Sequence, residues 1–175
     1  MTARIASRAG VAALLLLTGS PHAQPVDHGA RPAAAPSTQF TISGAVAHPR
    51  SLTLADLEKE PATNQTVFFS TGRGQVTATF KGVLLWTLLG AAEIQADPTV
   101  KNAQLRRSVI VSADDGYGVV LSVGELDPAY GAAQALIAYA QDGKPLGPSG
   151  FARLVLPADK DGGRNVMRVT NIEVR

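Results

Sequence analysis

From Gln39 onward, apolar and polar positions alternate through Phe40, Ile42 and Gly44 to Ala47. The alternation predicts a strand that ends at His48-Pro49, because a residue before proline is biased away from helix. Thr53 followed three residues later by Asp56 is a helix-start signal. With Leu54 and Leu57 it predicts a brief helix stopped by Pro61. Val67-Phe68-Phe69 and Val76 to Phe80 read as two strands joined by the loop Ser70-Thr71-Gly72-Arg73-Gly74-Gln75. Gly82 then opens a run from Val83 to Leu89 whose spacing predicts an amphipathic helix reaching about Ala92.

Further strands are predicted at Ser108 to Ser112 and Gly118 to Leu121, turned by Asp114-Asp115-Gly116, with a helical turn at Ser122 to Leu126. Ala135 to Tyr139 and Leu146 flank Asp142-Gly143, a second hairpin signal, and strands at Phe151 to Leu156 and Val166 to Val174 close the chain. Strands outnumber helices, and neither βαβ alternation nor an internal repeat is present. The fold class is therefore α+β, with β-rich mixed sheets and a few short helices.

The first 38 residues follow a different pattern. Arg4 and Arg8 precede an apolar run, Val11 to Leu17, too short to cross a bilayer as a helix, and Gly19, Ser20 and Pro21 follow. Residues 1–23 read as a signal peptide cut after Ala23, which implies a periplasmic or secreted protein with no membrane span after cleavage. Residues 24–38, rich in Pro, Ala, His and Gly, read as a flexible lead-in, and residues 39–175 as one domain.

Cleavage alters the charge balance. Of 16 basic residues against 14 acidic, Arg4 and Arg8 leave with the signal, so the mature chain has no net positive field. Nucleic-acid binding, which needs clustered Lys and Arg, is not expected. The chain has no cysteine. Disulfides, thiol nucleophiles, thiol redox chemistry, Cys-ligated zinc and iron–sulfur clusters are excluded together, so stability rests on core packing.

The ordered set of pieces resembles a known family. A strand ending in His48-Pro49, a short Leu-rich helix, Phe68-Phe69-Ser70-Thr71-Gly72-Arg73-Gly74 and Phe80-Lys81-Gly82-Val83-Leu84-Leu85-Trp86 come first. Asp115-Gly116-Tyr117, Ala135 to Tyr139, Asp142-Gly143-Lys144-Pro145-Leu146, Gly150 to Pro157 and Val169 to Val174 follow. From Gln39 to the end the chain resembles the sulfite-oxidase-type molybdopterin-binding domain. The resemblance implies that fold, a pterin cleft and an oxidoreductase label.

At the chemistry the sequence departs from the resemblance. Catalytic members carry a metal-ligating cysteine in a Cys-Ala-Gly-Asn-like loop, and the matching tetrapeptide here is Ser70-Thr71-Gly72-Arg73. Ser70 is read as a turn-capping hydroxyl, with an oxygen ligand to molybdenum as the alternative. The family's C-terminal loop places a lysine and a tryptophan where Met167 and Arg168 stand in Gly163-Arg164-Asn165-Val166-Met167-Arg168. No metal ligand is assigned. The candidate cofactor-binding set is Ser70, Thr71, Gly72, Arg73, Arg153 and Arg164.

Arg73 between two glycines can form an anion-binding nest or simply a hairpin turn with a solvated guanidinium. Arg153, Lys160 and Arg164 converge on one face if the family fold holds. Trp86 is read as core, Tyr117 as a cross-strand aromatic contact, and His48 and Asp114-Asp115 as without catalytic partners. Three functions remain. The favoured one is a non-catalytic binding or accessory protein whose cleft takes a small anion, a pterin or an exported partner. The alternative is a molybdopterin-dependent oxidoreductase with Ser70 or water in place of the cysteine. The third is an interaction module in an exported assembly, using the fold as scaffold alone.

Overall fold

The strand-forming stretches pair into two five-stranded sheets in a computed structural model that describes residues 37–175. The predicted signal peptide and all but the end of the predicted lead-in lie outside the described residues. No described helix is long and apolar enough to cross a membrane.

The first sheet joins the two ends of the domain. β1 (Gln39–Gly44) pairs in parallel with β10 (Val169–Val174) and antiparallel with β2 (Arg50–Thr53). Beyond β10 lie β5 (Ser108–Ala113) and the edge strand β6 (Gly118–Ser122), giving the order β2-β1-β10-β5-β6. The Asp114-Asp115-Gly116 turn connects β5 to β6 as predicted, with Gly116 at φ +87, a backbone conformation open to glycine.

The second sheet is built on a long hairpin, β3 (Ala62–Thr71) and β4 (Gly74–Leu84), followed by β7 (Leu136–Gln141). β8 (Lys144–Pro145) and β9 (Arg153–Val155) both pair with β7, at opposite ends of it. After β9 the chain returns to β3, where Asp161 bridges Ser70 in parallel, so the sheet wraps around its own apolar face.

Three short helices fill the connections: α1 (Leu54–Leu57), α2 (Leu85–Ala92) and α3 (Val123–Leu126). α3 has a reciprocal cap, with Glu125 N donating to Ser122 Oγ at 3.1 Å and Ser122 N donating to Glu125 Oε2 at 3.1 Å. The predicted helix from Gly82 starts three residues late. Gly82, Val83 and Leu84 instead finish β4, because Gly82 lies so close to β7 that an added Cβ would sit 2.2 Å from Ile137 O. Glycine there permits a backbone approach that a helix start does not need.

Alternation along β7 divides the interior. Ile137 and Tyr139 face the main core between the sheets, with Phe40, Ile42, Leu88, Leu89, Val109, Val111 and Ile172. Leu136 and Ala138 face a second cluster with Val67, Phe69, Ala78, Phe80, Leu146 and Val155, inside the curl of the second sheet. β7 is apolar on both sides, which is why it reads as a continuous run rather than an alternation. Truncating fully buried Phe80 to alanine is expected to cost about 3–5 kcal/mol.

Candidate functional site

The loop that the sequence singled out is the tip of the β3–β4 hairpin. The ladder continues to Thr71 opposite Gly74, leaving Gly72 and Arg73 as a two-residue turn with Gly74 at φ +111. Thr71 Oγ1 donates to Gly74 O at 2.8 Å and accepts from Arg73 N at 3.2 Å. The capping hydroxyl expected of Ser70 is thus supplied one residue later, by Thr71. The Arg73 N–H points into the turn, and added Cβ atoms at Gly72 and Gly74 would meet nothing within 4 Å. Thr71 to Gln75 are all exposed.

Ser70 is half-buried and paired opposite Gln75, and its N–H donates to Lys160 O at 2.9 Å. The segment after β9 therefore lies directly beside it. Phe69 and Ser70 are consecutive in a strand, so they face opposite sides. Phe69 faces the second cluster, and Gly162 packs against its ring so closely that a Cβ there would come within 2.9 Å.

Arg153 lies on the Phe69 side. Its guanidinium carbon is 5.1 Å from the Phe80 ring centre and 5.9 Å from that of Phe69. Arg153 Nε is buried without a hydrogen-bond partner, and no carboxylate pairs with the side chain among the described residues. Burial pushes its pKa below the usual arginine value. The rings compensate in part, since a desolvated cation over an aromatic face gains roughly 2 kcal/mol.

Arg164 has a different environment. Its Nε and Nη2 donate to Asp159 at 2.9 and 2.6 Å, and its Nη1 donates to Glu125 Oε1 at 3.1 Å. The Asp159 hydrogen bond, more than Glu125, raises its pKa. Arg153, Lys160 and Arg164, read from the sequence as converging on one face, each have separate contacts. Arg153 stacks on phenylalanines, Lys160 contributes its carbonyl to Ser70, and Arg164 spans two carboxylates.

Gly162, Gly163, Asn165 and Met167 border a groove of about 300 Å³, lined also by Ala113, Asp115 and Tyr117. Tyr117 reaches a backbone carbonyl in place of the predicted aromatic partner, its hydroxyl donating to Gly163 O. Asn165, only 7% exposed, accepts from Leu156 N through Oδ1 at 2.9 Å, while its Nδ2 has no partner. Arg168, at φ +51, reaches Asp114 Oδ1 at 2.8 Å through Nε and Asp115 Oδ2 at 3.3 Å through Nη2. Among the described residues no group of three or more His, Asp or Glu side chains is placed to hold a metal ion.

The family profile described as the oxidoreductase molybdopterin binding domain matches residues 28–175. The chain belongs to that family. The match begins inside the segment read as lead-in and runs to the last residue. No curated protein sequence matches the chain. Among solved structures the family member is similar to the sulfane dehydrogenase SoxCD from Paracoccus pantotrophus, with a TM-score of 0.64 and 20% identity. That alignment covers 78% of this chain and 37% of the SoxCD chain, and at this identity it shows the shared fold. The chain thus spans about a third of the length of that enzyme chain.

Trp86 packs half-buried against the main core, as expected. Arg168 and Asn165 were not singled out as site residues by sequence. The signal for Arg168 was its place in the C-terminal loop, but its partners, Asp114 and Asp115, lie more than fifty residues away in sequence.

Proposed function

We propose that this family member is an exported, non-catalytic binding or accessory protein that uses the molybdopterin-domain fold without the thiolate ligand for molybdenum. The observation that carries the reading is the state of the Ser70–Gly74 segment. Where a metal-holding loop would stand, Ser70 is in a ladder and the remaining residues form a tight turn that uses its own donors.

The residues present do not fit a molybdenum dithiolene centre carrying a phosphorylated pterin. The chain has no thiol, and the two arginines of the C-terminal loop are each held by two carboxylates. A hydroxyl is also a far weaker proton donor than a thiol, so Ser70 would yield an anionic ligand much less readily at neutral pH. Arg153 supports a residual binding role, since it is a half-buried cation whose buried Nε has no hydrogen-bond partner and which has no counter-ion among the described residues. Its partner would be a small anion, a pterin without its metal, or an acidic group on an exported protein.

Protein purified from the native producer is expected to begin at Gln24. It is also expected to release neither molybdenum nor a fluorescent pterin on denaturation. Both in near-stoichiometric amount would establish the alternative, an oxidoreductase using Ser70 or water at the metal. Pterin without molybdenum would keep the binding role and name its ligand.

A further inference from the structure

Two neighbouring hollows lie between helix α1, strand β7 and the turn that follows β8. They share Leu54, Tyr139 and Pro145, so together they make one groove of two compartments. None of the residues lining it belongs to the candidate cofactor-binding set or to the groove beside Tyr117.

The compartments differ in charge. The first, of about 450 Å³, is lined by Leu54, Tyr139, Pro145, Leu146 and Phe151, and no charged side chain borders it among the described residues. The second, of about 340 Å³, is bordered by two cations, Lys81 and Lys144, and one anion, Glu58. Neither lysine has a carboxylate partner among the described residues. The other carboxylates of the neighbouring elements are engaged: Asp56 with Lys59 at 2.9 Å, Glu60 with Arg50 at 3.4 Å, and Asp142 with Thr79 N at 2.9 Å.

Three side chains are placed for a ligand more than for the core. α1 buries Leu57 completely and leaves Leu54, 37% exposed, beside both compartments. Lys81 Nζ stands 5.8 Å from the Tyr139 ring centre, and this cation–π contact holds it by the groove. Tyr139 itself is 8% exposed and lines both compartments, yet its hydroxyl has no hydrogen-bond partner among the described residues. A buried tyrosine hydroxyl ordinarily finds one.

An apolar compartment continuous with a cationic one has the form of a site for an amphiphile. No guanidinium lines it to grip phosphate in a planar fork, and two compact ammonium groups against one carboxylate suit a singly charged head. We infer that the groove binds a straight-chain carboxylate of the fatty-acid type, with its tail against Leu54, Leu146 and Phe151 and its head at Lys81 and Lys144. The site lies apart from the Ser70–Gly74 segment, and its occupancy does not depend on whether a pterin is held.

The test is calorimetric titration with octanoate, decanoate and dodecanoate, each below its micelle concentration. The protein is purified from its native producer and stripped of lipid, and its melting temperature is read alongside. One dodecanoate is expected to bind per chain, with affinity rising roughly threefold per added methylene and a melting temperature that rises with ligand concentration. Lys81→Met with Lys144→Met is expected to weaken decanoate about fivefold or more while leaving the uncharged decanol unchanged. Leu54→Glu should weaken every member of the series. If the double variant does not fold, Lys144→Gln at its exposed position decides the head-group half. Folded wild type that takes up no dodecanoate, an affinity that does not change with chain length, or lysine variants that bind like wild type would each overturn the inference. So would a concentration-dependent dimer broken by Leu54→Glu in a protein that binds no fatty acid, which would give the groove to a second copy.

Discussion

At Thr71 a single hydroxyl closes the turn, and this decides what the neighbouring serine is free to do. The sequence marked the correct tetrapeptide but gave the role to Ser70, because a strand's last residue cannot be located to within one position from its own pattern. Arg153 was legible as a candidate but its setting was not, since Phe69 and Phe80 meet it only once the second sheet curls. Its Nε lacks a partner, and replacing a buried, unpaired polar group by an apolar one of similar length removes that penalty. Arg153→Met is therefore expected to leave stability within about 1 kcal/mol of wild type or to raise it, as read by urea denaturation. Loss of any phosphate- or pterin-dependent stabilisation in the same variant would tie Arg153 to binding.

Asp56 makes a contribution that depends on pH. Its carboxylate accepts from Thr53 Oγ1 at 2.7 Å, Lys59 Nζ at 2.9 Å and Thr53 N at 3.1 Å, and these bonds hold its pKa well below the usual carboxylate range. A depressed folded-state pKa gives stability that is present above the unfolded value and lost as pH falls through the folded one. The urea midpoint of Asp56→Asn should therefore lie below that of wild type at neutral pH, and the gap should close from about pH 4 downward. An unchanged gap at pH 2 would show that the carboxylate is not the cause.

At the scale of elements, the turns were the most legible features because their chemistry is local. Asp142 and Gly143, at φ +51 and +75, form the predicted hairpin between β7 and β8, and Asp114-Asp115-Gly116 forms another. The least legible boundary was the end of β4, where Val83 to Leu89 is apolar throughout and serves both strand and helix. What settles it is contact with β7, which is distant in sequence. Gly82→Ala is thus expected to destabilise by about 2 kcal/mol or more by forcing β4 and β7 apart. The same change at Gly72, where nothing lies within 4 Å, should cost far less. Equal costs at the two positions in chemical denaturation would refute this account of β4. The Gly162–Arg164 turn and its ion pairs were hidden for the same reason, since Glu125 reaches Arg164 across 39 residues.

At the scale of the whole molecule, the proposed function separates the fold of the family from its chemistry. Among the described residues, two apolar clusters lie on either side of β7 and the first and last strands, β1 and β10, lie side by side. On the proposed reading, the segment that matches the family's metal-holding loop is a hairpin ladder whose Ser70 N–H bonds Lys160 O, and Arg164 and Arg168 are each paired with two carboxylates. Restoring the ligand alone should therefore not restore the centre. The direct measurement is the molybdenum content of the Ser70→Cys variant beside wild type, both produced in cells that make the cofactor. Background molybdenum in both is the predicted result. Near-stoichiometric molybdenum in wild type would contradict the account outright, and the same in Ser70→Cys would show that the cleft is intact and only its ligand was lost.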